Sequence, residues 1–395
     1  MTRIEPTLHL KPKKDGSLQR RHPWVFAGAV ERTSGKPAPG DTVRVVGADG
    51  RFLAWAAFSP TSSIRARVWT FDEAETVDAA FIAVRVQAAV ARRESLRAGS
   101  DALRLVFGEA DALPGCVVDR YGAQLVVQFL STGVERWREA IVDALVAATG
   151  CTAVYERSDA SAREREGLAL RTGPIRGEVP DPVPVIEHGV RYRVDVVAGH
   201  KTGFYIDQRD SRALVREHAA GRRVLNCFCY TGGFTLAARQ GGATEAISID
   251  ASAEALAMAA ANERDNGFET PSTWLHANVF DALKTLLAEG RRFDLIVLDP
   301  PKFAPSAQHV DAASRAYKEI NLKALRLLAP GGLLFTFSCS GAIGADLFRR
   351  IVADAVVDAG VDAQLLRHLA AGIDHPMAIT HPEGEYLKGL MLRRM

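Results

Sequence analysis

The stretch RVLNCFCYTGGFTLAA, residues 223–238, decides the fold. It begins as an apolar strand, turns at Gly232 and Gly233, and continues with the pattern of a helix. Glycines at such a turn allow a tight bend and let a ligand approach N–H groups at the N-terminus of the helix. The stretch therefore predicts the first strand of a ligand-binding α/β sheet.

Strand and helix patterns alternate after this stretch. The segments, in order, are EAISID, AEALAMAAANERDNG, FDLIVLD, YKEINLKALRLL and GLLFTFS. Alternating strands and helices form right-handed crossovers, so we expect a mostly parallel sheet with helices on both faces. Ligands bind such sheets at the carboxyl ends of the strands, and the residues that follow each strand are therefore the candidates for a site.

Asp250 ends the second strand of the series, where folds of this type keep an acid for the ribose hydroxyls of a nucleoside. The dinucleotide spacing G-x-G-x-x-G is absent, which argues against a nicotinamide dinucleotide with its pyrophosphate. We therefore expect a cofactor that contains a nucleoside. An ordinary glycine-rich turn is the alternative that these residues leave open.

Two further strands end in segments with chemical character. DPPKF, residues 299–303, fixes the backbone at two prolines and removes two N–H donors, which makes a rigid rim with free carbonyls and one carboxylate. FTFSCSG, residues 335–341, places Cys339 between two serines where its strand ends. Neighbouring strands would let both segments face one flat base. A simple loop and a packed, unreactive thiol are the plain alternatives.

Bulk composition limits the remaining choices. A chain of 395 residues, 47% of them hydrophobic, predicts two or three folded domains. Five cysteines are too few and odd in number for a disulfide framework, and no cysteine pair has a histidine cluster that would complete a zinc site. We find no signal-peptide pattern and no apolar run of membrane-spanning length, so a soluble cytoplasmic protein without a metal is expected.

Three domains are predicted along the chain. Residues 1–72 contain short strands and a hairpin signal at Asp49-Gly50, which indicate a small β domain. Residues 73–184 form a central α+β domain with a helix at 74–97, three strands, a helix at 134–148 and the strand TAVYER, and they end in the Pro- and Gly-rich connector GPIRGEVPDPVPV. Residues 185–395 contain the parallel sheet.

The N-terminal segment is basic. Residues 1–70 carry twelve lysines and arginines against five acids, although the formal net charge of the whole chain is only +2. Within this segment, KPKKDGSLQRRHPWVF mixes cations with Trp24 and Phe26, a combination common in RNA-binding surfaces. A solvated basic loop is an equally good interpretation of the composition alone.

The series of motifs resembles the class I S-adenosylmethionine-dependent methyltransferases. More narrowly, the chain resembles the bacterial PUA-domain-containing 23S ribosomal RNA 5-methylcytosine methyltransferases of the large-subunit methyltransferase I family. The resemblance extends to HPWVFAGAV, GEADALPGCVVDRY, KTGFYIDQRDSR and HPEGEYLKGL. It implies a Rossmann-like catalytic domain over residues 185–395, a PUA-like RNA-binding domain over residues 1–72, S-adenosylmethionine as cofactor, and large-subunit ribosomal RNA as partner. A homodimer is left open.

The resemblance also implies roles for individual residues. Cys339 would be the thiolate that adds to C6 of a cytosine so that C5 can accept a methyl group, and Asp299 would contact or protonate N3. The implied cofactor contacts are Tyr205, Asp207, Gln208, Arg209, Phe228, Tyr230, Thr231, Gly232, Gly233, Asp250, Asn278, Asp281, Asp299 and Pro300. The implied substrate contacts are Pro301, Lys302, Phe303, Lys13, Arg21 and Trp24.

The chain departs from the family pattern at two positions. Asn278 stands where the family more often has an acid, and Lys302 stands where many RNA 5-methylcytosine enzymes have a second cysteine. The base that removes the C5 proton is therefore left open. Two other functions also remain: a methyltransferase for uridine C5 or a purine, and a non-catalytic ribosome assembly factor that binds S-adenosylmethionine and RNA. A purine enzyme or an assembly factor would not need Cys339.

Overall fold

The computed structural model describes residues 5–268 and 270–395. These residues form two compact units. The first unit holds the described part of Met1–Val185 together with Val194–Ile206 and Asp374–Gly384. The second unit holds Ile186–Arg193, Asp207–Ile373 and Glu385–Met395. The segments predicted as domains 1–72 and 73–184 share one unit, and the boundary between them stays a prediction.

A six-stranded sheet forms the N-terminal part of the first unit. Its strands are β1 (Thr7–Leu10), β2 (Trp24–Phe26), β3 (Val30–Ser34), β4 (Thr42–Val46), β5 (Phe52–Phe58) and β6 (Ile64–Thr70), and a short helix α1 (Gly16–Gln19) precedes β2. The spatial order is β2-β6-β5-β4-β1-β3. Gly50 has a φ of 80° between the antiparallel strands β4 and β5, which confirms the predicted hairpin.

A five-stranded sheet and four helices follow the N-terminal sheet in the first unit. The strands are β7 (Ala102–Phe107), β8 (Cys116–Tyr121), β9 (Gln124–Phe129), β10 (Ala153–Ser158) and β11 (Arg171–Arg176); the helices are α2 (Ala79–Ala91), α3 (Thr132–Arg136), α4 (Arg138–Thr149) and α5 (Ala162–Arg165). Apolar side chains of α2 and α4 pack on β7, β8 and β9 in one core.

Three expectations for this region need correction. The helix predicted over 74–97 begins only at Ala79, because the Asp78 side chain accepts the Phe81 N–H at 2.9 Å and caps it there. The helix predicted over 134–148 is two helices, α3 and α4, that break at Trp137. The predicted connector contains part of β11, because an edge strand tolerates a proline such as Pro174.

A seven-stranded sheet forms the second unit. The hairpin β12 (Val183–Glu187) and β13 (Val190–Val194) precedes it in the chain. The sheet strands are β14 (Arg223–Cys227), β15 (Glu245–Asp250), β16 (Thr273–His276), β17 (Phe293–Leu298), β18 (Leu328–Ser338), β19 (Ala363–Ala370) and β20 (Lys388–Arg394). Their order is β16-β15-β14-β17-β18-β20-β19, and all neighbours from β16 to β18 are parallel. Only β20 runs antiparallel to its two neighbours within this described sheet.

Helices cover both faces of this sheet, as the alternating pattern predicts. They are α6 (Arg209–Glu217), α7 (Gly233–Gln240), α8 (Ala253–Asn266), α9 (Val279–Ala288), α10 (Val310–Leu327) and α11 (Ala345–Ala359). Leu225 lies in the core that contains side chains of α9, α10 and α11, whereas its neighbour Val224 lies in the core that contains Val215 of α6 and Phe234 of α7. Strand order reverses between β14 and β17, where doubly wound sheets bind ligands.

None of the helices within residues 5–268 and 270–395 has the length and hydrophobicity that a membrane span needs.

Candidate active site

Four neighbouring parallel strands deliver the predicted residues to one edge of the sheet. The glycine turn follows β14, Asp250 ends β15, DPPKF follows β17, and Cys339 follows β18. The strands run in the same direction, so their carboxyl ends lie together. The structure thus brings together the motifs that the sequence separates by more than a hundred residues.

The turn after β14 has a strained backbone. Phe228 and Tyr230 have φ values of 60° and 48°, a left-handed region that costs an ordinary residue about 1–2 kcal/mol. Asp250 holds the turn, because its Oδ2 accepts the Tyr230 N–H at 2.8 Å and its Oδ1 accepts the Ser252 N–H at 2.9 Å. Strain of this kind is retained where surrounding contacts impose it, often beside a ligand.

Two other predicted residues of the turn are held from outside it. The Thr231 carbonyl accepts the side-chain amide of Asn262 at 3.2 Å, and the Gly233 carbonyl accepts the Tyr192 hydroxyl at 3.3 Å. Both partners are buried. The turn is therefore preorganised by side chains of the second unit.

Gly232 has no room for a side chain. It has a φ of 84°, and a Cβ atom built on it would lie 2.8 Å from Cη2 of Trp274 and 3.1 Å from Cβ of Ala259. The Trp274 ring cannot move freely, because its Nε1 donates to Glu263 at 3.0 Å. The close approach of α8 and β16 to the turn therefore depends on this glycine.

We expect Gly232→Ala to be more destabilising than Gly221→Ala. Gly221 also has a positive φ, 72°, but a Cβ atom there would meet nothing within 4 Å. Both variants place an alanine at a positive φ, which lowers the free energy of unfolding in each. At Gly232 alone, the clash of the added methyl group lowers it by roughly 1–3 kcal/mol more. Denaturant unfolding of the two variants measures the difference, and equal free energies of unfolding would contradict a tightly packed turn.

Gln208 lies in a short 3₁₀ helix, Ile206–Gln208, directly before α6. Its side chain is 2% exposed, and neither its amide oxygen nor its amide nitrogen has a hydrogen-bond partner among the described residues. A buried amide without partners costs about 1–3 kcal/mol, so the site suits a ligand that bonds to it. Its neighbours are fixed: the Tyr386 hydroxyl donates to Asp207 at 2.6 Å, and Arg209 is buried beside Asp210.

Asn278 and Asp281 lie just beyond β16, the next strand along the same edge. The Ala277 N–H donates to the Asp250 carbonyl at 3.0 Å and joins this segment to the end of β15. Asn278 caps α9 by accepting the Phe280 N–H at 2.9 Å, and Asp281 is exposed with Lys284 3.5 Å away. Their contact with adenine stays a prediction.

Cys339 differs from the other cysteines in its exposure. The thiols of Cys116, Cys151, Cys227 and Cys229 are buried, whereas Cys339 is half-buried. Burial raises the pKa of the Cys116 and Cys227 thiols, which keeps them protonated. The Sγ atom of Cys339 lies 4.0 Å from the carbonyl oxygen of Pro300 in the DPPKF rim. The predicted thiol and the predicted rim are therefore in contact.

A buried hydroxyl network joins the two segments. The Ser338 hydroxyl donates to the Tyr317 hydroxyl at 2.9 Å, and that hydroxyl also bonds the Ser340 hydroxyl at 3.1 Å. Ser340 in turn accepts the Ala304 N–H at 3.1 Å. The residues on both sides of Cys339 are thus tied to α10 and to the end of the rim. Sequence reasoning missed Tyr317, although a tyrosine on the apolar face of a helix signals a buried hydroxyl that needs a partner.

The rim itself presents a mixed surface. Pro300 is buried, Pro301 and Lys302 are exposed, and Phe303 is half-buried with its ring 4.8 Å from the Tyr317 ring. The Asp299 N–H donates to the Cys227 carbonyl at 3.5 Å, which joins the ends of β17 and β14.

The remaining predicted residues lie in the first unit. Lys13 and Arg21 are exposed, and the Arg21 guanidinium lies 5.0 Å from the Phe71 ring centroid. Trp24 is half-buried, and its Nε1 donates to Glu109 at 2.7 Å. The Lys201 ammonium lies 4.4 Å from the Tyr205 ring centroid. Whether these residues bind RNA or cofactor stays a prediction.

The described part of the chain contains no candidate metal site, because no group of three or more His, Cys, Asp or Glu side chains there could hold an ion.

Comparisons with known proteins agree with this geometry. A family of S-adenosylmethionine-dependent methyltransferases matches residues 155–361, and a PUA-like domain family matches residues 8–71. A ribosomal RNA large subunit methyltransferase I from Salmonella arizonae is 46% identical over 394 residues, which cover 99% of this chain and 98% of that protein. The chain belongs to the ribosomal RNA large subunit methyltransferase I family. The protein of the same name from Klebsiella pneumoniae is 47% identical with the same coverage.

Solved structures show the same fold. A SAM-dependent methyltransferase from Streptococcus mutans has a TM-score of 0.83 at 21% identity, with 98% of this chain and 99% of that chain covered. A methyltransferase in complex with SAH has a TM-score of 0.85 at 20% identity and the same coverage. The predicted class I fold, with its N-terminal PUA-like domain, is confirmed.

S-adenosylmethionine is therefore the cofactor of this family member, and residues of the second unit fit it. Gln208 offers a buried donor and acceptor, and α7 offers N–H groups at its N-terminus. Each oxygen of Asp250 accepts one N–H and keeps a lone pair for a hydroxyl.

Proposed function

We propose that the protein methylates C5 of a cytosine in large-subunit ribosomal RNA through a covalent adduct between Cys339 and C6. The observation that carries this proposal is the half-buried Cys339 thiol, 4.0 Å from the Pro300 carbonyl of the DPPKF rim. Ribosomal RNA as substrate is taken from the relatives, which are named as ribosomal RNA large subunit methyltransferases.

The proposed reaction starts from a weak nucleophile. C5 of a pyrimidine does not attack a methyl donor unaided, whereas a thiolate bonded to C6 turns the ring into an enamine. The Cys339 thiol releases its proton to water and the thiolate sulfur bonds to C6. The electron pair of the C5–C6 double bond then forms a C4–C5 double bond, and the pair of the C4–N3 double bond moves to N3. Asp299, as its carboxylic acid, gives a proton to N3 and so neutralises the negative charge that develops there, and its carboxylate takes this proton back when C5 accepts the methyl group. S-adenosylmethionine, when bound, would supply an electrophilic methyl group for C5 and would leave as S-adenosylhomocysteine.

Release completes the cycle. A base removes the proton from C5, the electron pair restores the C5–C6 double bond, and the carbon–sulfur bond breaks to return the Cys339 thiolate. The chain's own residues hold the reactants throughout. The Tyr317 network fixes the flanks of Cys339, and the prolines of the rim fix Asp299.

The proposed cofactor contacts are those at the strand ends. S-adenosylmethionine would be held by Gln208, by Asp250 and by the turn that ends at Gly233. Asp299 and Pro300 would contact the cofactor on the side that faces the substrate. In the first unit, the exposed cations Lys13 and Arg21 would contact RNA phosphates, and the Trp24 ring would offer a surface on which a base can stack.

A direct product analysis tests this function. Purified protein is incubated with S-adenosylmethionine and unmodified large-subunit ribosomal RNA, and the digested RNA is examined by mass spectrometry. We expect 5-methylcytidine that depends on the protein and on S-adenosylmethionine. Formation of 5-methyluridine or a methylated purine instead would reject the cytosine assignment, and no methylation of any RNA would favour a binding role.

A further inference from the structure

Lys388 is a buried cation next to the proposed nucleophile. It begins β20, where it pairs with Ser338 of β18 and with Ala370 of β19, and it is 6% exposed. Its Nζ donates to the Ser340 carbonyl at 2.9 Å. Ser338 and Ser340 flank Cys339, so the ammonium is held beside the backbone that carries the thiol.

The position of Lys388 needs a reason, because lysines are almost never buried without a charged partner. Among the described residues, no carboxylate oxygen lies within 4.0 Å of the Lys388 Nζ. Its known hydrogen-bond acceptor is a neutral carbonyl. The pKa of Lys388 lies below its usual value, and burial is the largest cause. The negative charges of Glu385 and of an ionised Cys339 act against this lowering, and the positive charge of Lys302 adds to it.

Electrostatic interaction between two groups is reciprocal. If an ionised Cys339 stabilises the charged form of Lys388, then charged Lys388 stabilises the ionised form of Cys339 by the same free energy. Thiols beside a lysine ionise more readily than free cysteine, and the thiolate is the nucleophile. Tyr317 of α10 also interacts with Cys339, and burial raises the pKa of the Tyr317 hydroxyl, which keeps it neutral.

We propose that Lys388 is the cation that stabilises the Cys339 thiolate and so keeps the nucleophile of the methyltransferase active. Lys388 acts through Cys339, so it is a positioning residue in this proposal. Its importance for methylation rests on the proposed function, but its effect on the thiol does not. Lys302, whose positive charge acts on Lys388, is exposed on the rim, where solvent screens its charge.

The test follows the ionisation of the thiol. The rate at which iodoacetamide alkylates Cys339 is measured against pH by peptide mass spectrometry, without RNA and without S-adenosylmethionine. Three proteins are compared: the native chain, Lys388→Gln, and Lys388→Arg. Glutamine keeps a donor for the Ser340 carbonyl but removes the charge, whereas arginine keeps the charge.

We expect the midpoint of the pH–rate profile to rise by about one pH unit in Lys388→Gln and to stay near the native value in Lys388→Arg. The matched control is Lys323→Met, which removes a buried lysine that has Glu319 as its ion partner and should leave the midpoint unchanged. An unchanged midpoint in folded Lys388→Gln would overturn the proposal. Equal rises in the glutamine and arginine variants would overturn it as well, because a loss of packing would explain both.

Methylation measurements separate this inference from the proposed function. A thiolate role predicts that Lys388→Gln recovers methyl transfer as the pH rises, whereas a loss of structure lowers activity at every pH. Should Cys339 prove unnecessary for methylation, the alkylation result would still decide whether Lys388 ionises the thiol. Conversely, if the native protein forms 5-methylcytidine but the alkylation profile of Lys388→Gln is not shifted, the proposed function is supported and the role of Lys388 is rejected.

Discussion

Replacing Cys339 with alanine is expected to lower the rate of methyl transfer roughly 10⁴-fold or more, because the variant lacks the nucleophile on which each later step depends. The substitution should leave the fold intact. Cys339 is half-buried and its Sγ has a weak contact with Pro300, so removing one sulfur creates little cavity. Loss of activity in a protein of native stability would therefore show that Cys339 takes part in the reaction.

The covalent intermediate can be trapped directly. RNA that contains 5-fluorocytidine cannot lose a proton from C5, so a native enzyme that methylates it should remain bonded through Cys339 and survive a denaturing gel. The Cys339→Ala protein should form no such complex. Cys151→Ala, which removes a buried thiol of the first unit, is the matched control and should form it at the native rate. If the Cys339→Ala protein is active, Cys339 is not the nucleophile and contributes only to packing.

The parallel sheet was predictable because its strands are long apolar runs that alternate with helices. The ends of those strands were predictable too, since Gly232, Asp250, Asp299 and Cys339 each stand just after a run of buried residues. The order of parallel strands follows from few topological rules, so residues far apart in the chain could be assigned to one edge. This confirms the fold and the placement of the motifs, while their roles stay predictions.

The contacts that Tyr317 and Lys388 make beside Cys339 could not be predicted from the sequence. Tyr317 reaches Ser338 and Ser340 from the middle of α10, and Lys388 reaches Ser340 from an antiparallel strand that enters the sheet last. Neither residue stands at a strand end of the parallel series. Their positions depend on how side chains pack across the sheet, and a single tyrosine or lysine in a periodic pattern does not specify its partner.

The ends of helices were also not predicted correctly where a single local feature of the chain determines them. The cap from Asp78 shortens α2, and Trp137 separates α3 from α4, although hydrophobic periodicity continues through both regions. Charge pattern was equally uninformative at Arg163, which lies in the charged segment SAREREG, residues 161–167. The structure buries Arg163 at 1% exposure and pairs it with Glu135 at 2.6 Å.

The second large effect is expected for Asp299→Asn. Asparagine has nearly the shape of aspartate but cannot give a proton to N3 or carry a full negative charge. We expect kcat to fall roughly 10²–10³-fold, in the range of positioned acid–base groups. The matched control is Asp311→Asn, an exposed aspartate in the first turn of α10, which should keep native kcat.

The rate of adduct formation assigns the step that Asp299 assists. If Asp299 activates C6, the 5-fluorocytidine complex should form more slowly in Asp299→Asn by about the same factor as kcat falls. Calorimetric titration with S-adenosylmethionine must accompany the measurement, because a lost cofactor contact would also slow the complex. Native affinity with slow trapping would support the role at N3. Native trapping with reduced turnover would instead place Asp299 after methyl transfer, where removal of the C5 proton and release of Cys339 remain.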